Sequence, residues 1–119
     1  MASADELIEG LPVEVRELTI AARDLLRSVL PEGVETCEGG DLGFGVGPGY
    51  RGLVFVLTPK AHGVRLGIAG GATLPDPHHL MTGRGRVHRH LQLTKPSDLE
   101  QAGLRELLVN ARDQKSVAT

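Results

Sequence analysis

At 119 residues the chain suits one domain and is too short for two, and it can bury roughly two-thirds of its unfolded surface without covalent staples. One cysteine, Cys37, excludes an internal disulfide, no apolar run approaches the roughly 20 residues of a membrane span, and the acidic start MASADELIEG lacks a signal peptide's apolar core, so the expected location is cytoplasmic with no membrane partner. A formal charge of −2, with Phe44, Tyr50 and Phe55 as the only aromatics, argues against a nucleic-acid binder.

In chain order, Ser3 and Glu6 have capping-box spacing, on a segment short enough to fray. The first firm helix is expected from about Pro12 to Leu30, where Val15, Leu18, Ala22, Leu25, Leu26 and Val29 recur at helical spacing. Pro12 suits the first turn, Glu14 follows where the helix dipole favours an acid, and Pro31 and Gly33 stop the helix. Residues 34–41 read as an acidic, glycine-containing connection. Leu42 to Val46 reads as a weak strand broken by Gly43 and Gly45, and Gly47-Pro48-Gly49 as a turn. Leu53 to Leu57 is an unbroken apolar run and predicts a central strand. Gly63 to Ala69 alternates and predicts its hairpin partner.

Two prolines in Leu74-Pro75-Asp76-Pro77 exclude a central strand, and His78 to Met81 is expected to form a short helical turn. Val87 to Leu93 predicts a further strand, with Val87, Arg89, Leu91 and Leu93 on one face and His88, His90 and Gln92 on the other. After Lys95-Pro96, Ser97 opens the last helix, with Glu100 completing a capping box. Leu99, Ala102, Leu107, Leu108 and Ala111 form its apolar side, and the tail from Asp113 is expected to fray. Helix, strands, helix is the order of an α+β domain over residues 1–119, with a core of about 11–112. Its N- and C-terminal helices pack on one face of an antiparallel sheet of about four or five strands.

Leu74 to Leu93 holds four of the five histidines and concentrates the chemistry. His88 and His90, two apart on a strand, project to one side, as zinc or iron ligands would, with Asp76, His78 and His79 nearby. Two histidines on a strand's solvent face have the same pattern. Gly83-Arg84-Gly85-Arg86 can bring backbone amides and guanidiniums to an anion, joined by Arg89 and His90. It lacks the Lys-Ser/Thr ending of a phosphate-binding loop, so nucleotide hydrolysis is not implied. Residues 5–41 carry ten acids against three arginines, whereas residues 84–95 carry Arg84, Arg86, Arg89 and Lys95 and no acid. The loop arginines could therefore simply pair with the acidic first helix. Cys37 lies in an acidic stretch rather than beside a base, and no Gly-x-Ser-x-Gly occurs. No catalytic residue is assigned, and an enzyme is the least supported class.

Three segments carry a resemblance: Leu11-Pro12-x-x-Val15-Arg16, Leu74-Pro75-Asp76-Pro77 and Gly83-x-Gly85-Arg86-x-x-Arg89-His90-x-x-Leu93. In order and spacing they resemble the YdhG-like domain family, small bacterial proteins, mostly of unknown function, that include a frataxin-like intracellular iron chaperone. The resemblance spans about residues 11–112. It implies a frataxin-like α/β sandwich, a cytoplasmic location, and iron delivery to iron–sulfur assembly proteins. It also implies that Gly83, Gly85, Arg86, Arg89 and His90 matter for fold or ligand. The chain departs from the family around residues 36–46, where an aromatic and a Pro-x-Tyr/Phe element are replaced by Thr36-Cys37-Glu38-Gly39-Gly40-Asp41-Leu42-Gly43-Phe44. On the iron reading, Glu32, Glu35 and Glu38 attract Fe²⁺ and His88 and His90 are candidate ligands, because weak, exposed sites suit hand-off. Two other readings stand beside it. One is a small-molecule or phosphate-binding module using Gly83, Arg84, Gly85, Arg86, Arg89 and His90. The other is an interaction domain that forms a homodimer through its exposed sheet face.

Overall fold

The computed structural model describes residues 3–47 and 49–117. Ser3 caps α1 (Ala4–Glu9), its hydroxyl accepting the Glu6 amide at 3.1 Å. The segment expected to fray is thus a capped helix, and its Ile8 is buried. Pro12 stands at the N-cap of α2 (Val13–Val29), and its carbonyl accepts the Arg16 amide at 2.8 Å. The apolar stripe read from the spacing is the face that α2 buries, from Val15 through Leu18, Ala22 and Leu26 to Val29. Thr19 lies within that stripe, and its hydroxyl donates to the Val15 carbonyl at 2.7 Å, which satisfies the one buried polar side chain of the described core.

Five antiparallel strands follow in sequence order: β1 (Val34–Glu38), β2 (Asp41–Gly45), β3 (Leu53–Pro59), β4 (Val64–Ile68) and β5 (Arg89–Leu93). The apolar run at Leu53 is central, as expected, and the β3–β4 hairpin forms. Residues 34–38, read as a connection, are instead the edge strand β1. Gly39 and Gly40, at φ of 57° and 86°, make the tight turn that folds β1 back on β2. A one-turn helix, α3 (Gly49–Gly52), leads into β3. The turn expected at residues 47–49 falls partly on Pro48, outside the described residues.

Four later expectations are corrected. Residues 78–81 form no helix: the His79 amide closes a turn on the Asp76 carbonyl at 3.0 Å with His79 at φ 53°, and the Asp76 carboxylate takes the amides of Leu80 and Met81 at 2.9 Å each. β5 starts at Arg89, leaving His88 and Val87, the latter 56% exposed, in the preceding loop. Pro96–Glu100 is a 3₁₀ turn in which Asp98 accepts the Thr94 and Lys95 amides at 2.8 and 3.2 Å. The last helix, α4 (Leu104–Val117), begins only after Gly103 at φ 83°, and it continues past Asp113.

Register sets the two faces of the sheet. Phe44, Phe55 and Ile68 are successive partners, as are Leu42, Leu57, Leu66 and Leu91. These side chains are buried together with α2 and with Leu104, Leu107, Leu108 and Ala111 of α4. The opposite face carries the row Thr36, Gly43, Val56, Gly67 and His90. The chain is therefore α+β, with helices covering one face of an open five-stranded sheet. Among the described residues, no helix is long and apolar enough to cross a membrane.

Candidate functional site

The site grows from the turn that follows β4. Gly70 adopts φ 73°, and its amide donates to His88 Nδ1 at 3.2 Å. With Nδ1 accepting, a neutral imidazole carries its proton on Nε2. The Gly70 carbonyl accepts from Thr73 Oγ1 and from Gln114 Nε2, each at 3.0 Å. One glycine thus ties the end of β4, the start of β5 and the last turns of α4 together. Arg89 adds a bond from Nη1 to the His88 carbonyl at 3.2 Å.

Around this junction lies a cavity of about 190 Å³, lined by Leu53, Val56, Gly67, Ile68 and Ala69 and by His88, Arg89 and Lys115. The first five are apolar or bare backbone. The other three are basic. No acid stands in the lining, so the cavity pairs apolar surface with the positive charges of Arg89 and Lys115.

Of the residues proposed from the sequence, Arg89 and His88 line this cavity. His90 does not. It sits opposite Gly67 in the register, exchanges backbone hydrogen bonds with Thr82 at 2.7 and 3.1 Å, and places its ring over Gly83. Its role in this geometry is to brace the loop against β5. Gly83, Arg84, Gly85 and Arg86 are exposed and outside the cavity. Among the described residues, no ion pair engages Arg84, Arg86 or Arg89.

The acidic helix meets different cations from those expected. Arg23 bridges Asp5 at 2.9 Å and Glu35 at 3.0 Å, and Arg27 also reaches Glu35. Burial pushes the Glu35 carboxyl up, but hydrogen bonds and charge from Arg27 and Arg23 outweigh it and hold the group below the ordinary glutamate range. Burial likewise opposes the Arg23 charge, and Asp5 and Glu35 overcome it, so that guanidinium is held above its usual value.

Those pairings also occupy a candidate metal ligand. Glu35 and Glu38 lie on β1, with Glu32 just before it, whereas His88 and His90 lie at β5. The two strands are opposite edges of the sheet, four strand spacings or about 19 Å apart. Among the described residues, no group of three or more His, Cys, Asp or Glu side chains comes close enough to hold a metal ion.

Sequence reasoning missed Lys115 and the floor. Lys115 falls in the stretch expected to fray, and only the continuation of α4 carries it to the sheet. Gly67 was visible as a glycine inside an alternating strand, a pattern that often marks close approach by another molecule. No family model, no curated protein and no solved structure matches the chain.

Proposed function

We propose that the protein is a binding module for a small molecule joining an apolar body to an anionic group, acting in the reducing cytoplasm that a lone cysteine suits. The carrying observation is the cavity beside His88 and Arg89, apolar at Leu53, Val56 and Ala69 and basic at Arg89 and Lys115. An apolar body gains from leaving water, and a carboxylate or phosphate gains from a guanidinium fork next to a low-dielectric wall. Arg84 and Arg86, exposed on the adjoining loop, add positive potential that attracts anions from solution. The iron-delivery reading implied by the resemblance to the YdhG-like family has less support, because its candidate ligands lie at opposite sheet edges and Glu35 is held by two arginines.

The test is calorimetric titration of the full chain with benzoate and phenyl phosphate, with amide shifts followed by NMR. The expected result is saturable binding that shifts Val56, Gly67 and Ala69 and weakens with salt. Lys115→Ala or Arg89→Gln should cost about tenfold in affinity each, the scale of one lost charge-assisted bond. An anaerobic Fe²⁺ titration run beside it keeps the rival in contest. Saturable Fe²⁺ binding that fades in the His88→Ala/His90→Ala variant, with both aryl acids inert, would replace this reading with iron handling.

A further inference from the structure

Glycine is a poor strand residue, since it loses the most backbone freedom on folding and packs nothing. Two of the three glycines inside the described strands are required by their own chain. A Cβ on Gly43 would stand 2.5 Å from Thr36 Oγ1, and one on Gly45 would stand 2.5 Å from the Gly52 carbonyl oxygen. Gly67, in β4, differs. Its φ is not positive, and a Cβ there would meet only the Val56 carbonyl at 3.7 Å and the Val56 Cβ at 3.8 Å, both ordinary contacts. Neither backbone conformation nor internal packing calls for glycine at this position, where a β-branched residue would suit the strand better. The space left open above it is the floor of the cavity.

We infer that Gly67 is the specificity-determining floor of the site, and that the ligand is an aryl acid whose planar ring lies on the Val56–Gly67 backbone with its carboxylate or phosphate turned to Arg89 and Lys115. This rests on the anion-binding reading and names its substrate class. Size is sufficient. An enclosed cavity of about 150 Å³ accepts a benzene ring, so the 190 Å³ here has room for one ring with a short acidic arm. Shape sets the planarity. Without a Cβ at Gly67, a flat ring can approach the peptide plane to van der Waals distance, about 3.5–4 Å, whereas a puckered ring stands off and forfeits part of the contact. Leu53 and Ala69 add apolar surface to the lining.

The experiment compares benzoate, cyclohexanecarboxylate and inorganic phosphate on the full-length protein and on Gly67→Val and Gly67→Ala. Benzoate should bind the parent at least several-fold more tightly than cyclohexanecarboxylate. Gly67→Val should lose benzoate tenfold or more while its melting temperature holds or rises. Gly67→Ala, which adds only an ordinary contact, should show a smaller loss in the same direction and serves if the valine variant fails to fold. Full benzoate affinity in Gly67→Val or Gly67→Ala, with loss in Arg89→Gln, would overturn the floor assignment and leave the anion-binding reading standing. Equal affinity for the two ring acids would overturn the planar-ligand assignment. A parent that binds none of the three probes would overturn both readings.

Discussion

Substituting Gly70 by alanine tests whether the junction beside the cavity is built as described. Gly70 holds φ 73°, where an L-residue pays about 1–2 kcal/mol of steric strain. The added Cβ would lie 2.8 Å from Gln114 Nε2, so the amide must swing away and give up its bond to the Gly70 carbonyl. A net hydrogen bond contributes about 1 kcal/mol, which brings the expected cost to about 2–3 kcal/mol. For 119 residues the unfolding entropy is about 0.25 kcal/mol/K, so melting should fall by about 8–12 °C. Thermal melts followed by circular dichroism, with urea unfolding alongside, read this directly. Gln114→Ala alone should cost about 1 kcal/mol, since Thr73 still satisfies the Gly70 carbonyl. The double variant should cost less than the sum of the two single changes, with a coupling of about 1 kcal/mol, because both remove the Gln114–Gly70 bond while only Gln114→Ala must also remove the bond from Thr73 Oγ1 to Gln114 Oε1. A Gly70→Ala melt within 2 °C of the parent, or strict additivity in the double variant, would refute the reasoning.

Two further outcomes follow from the packing and the charges. Phe55→Ala empties the centre of the core, where the ring is fully buried on the middle strand, and should cost about 3–5 kcal/mol; a loss under about 1.5 kcal/mol in urea unfolding would mean that the helices close over the void. Glu35 titrates below its ordinary value of 4.5 in the folded chain, so its contribution is complete above that pH and is lost as pH falls through the lower folded value. Glu35→Gln should therefore be less stable than the parent by about 1 kcal/mol at pH 7, and the gap should shrink toward pH 3. A gap that is constant or widens on acidification would show that the Arg23 and Arg27 bridges contribute nothing through ionisation.

Much of the fold was legible because its determinants are local. The stripe from Val15 to Val29, the apolar run at Leu53 and the alternation at Val64 each bury a face that periodicity alone defines. β1 was hidden because Val34–Glu38 is charged and exposed, as edge strands are. Its one local signal is Gly39-Gly40, the pair that makes the tight turn into β2. The helical start at Ser97 was a plausible capping box, but Asp98 won the competition by taking two amides ahead of it, and Gly103 then set where α4 begins.

The site divides in the same way. Composition and spacing alone marked Leu74–Leu93 as the chemically dense segment and offered Arg89 as a candidate anion partner. They also grouped His88 and His90 with the acids after α2. Sheet order separates that group, because β1 and β5 are the two edges and no local pattern states which strands are neighbours. Lys115 reaches the cavity only because α4 runs on and Gln114 docks on Gly70. Whether a glycine is needed by its own chain is likewise a question of what stands within 4 Å of a missing Cβ. Sequence by itself determined α2 and the β3–β4 hairpin, whose hydrogen bonds and apolar faces recur within a few residues. Tertiary structure alone decided the cavity, because its walls come from residues 53, 67, 89 and 115, which meet only when strand register and helix docking bring them together.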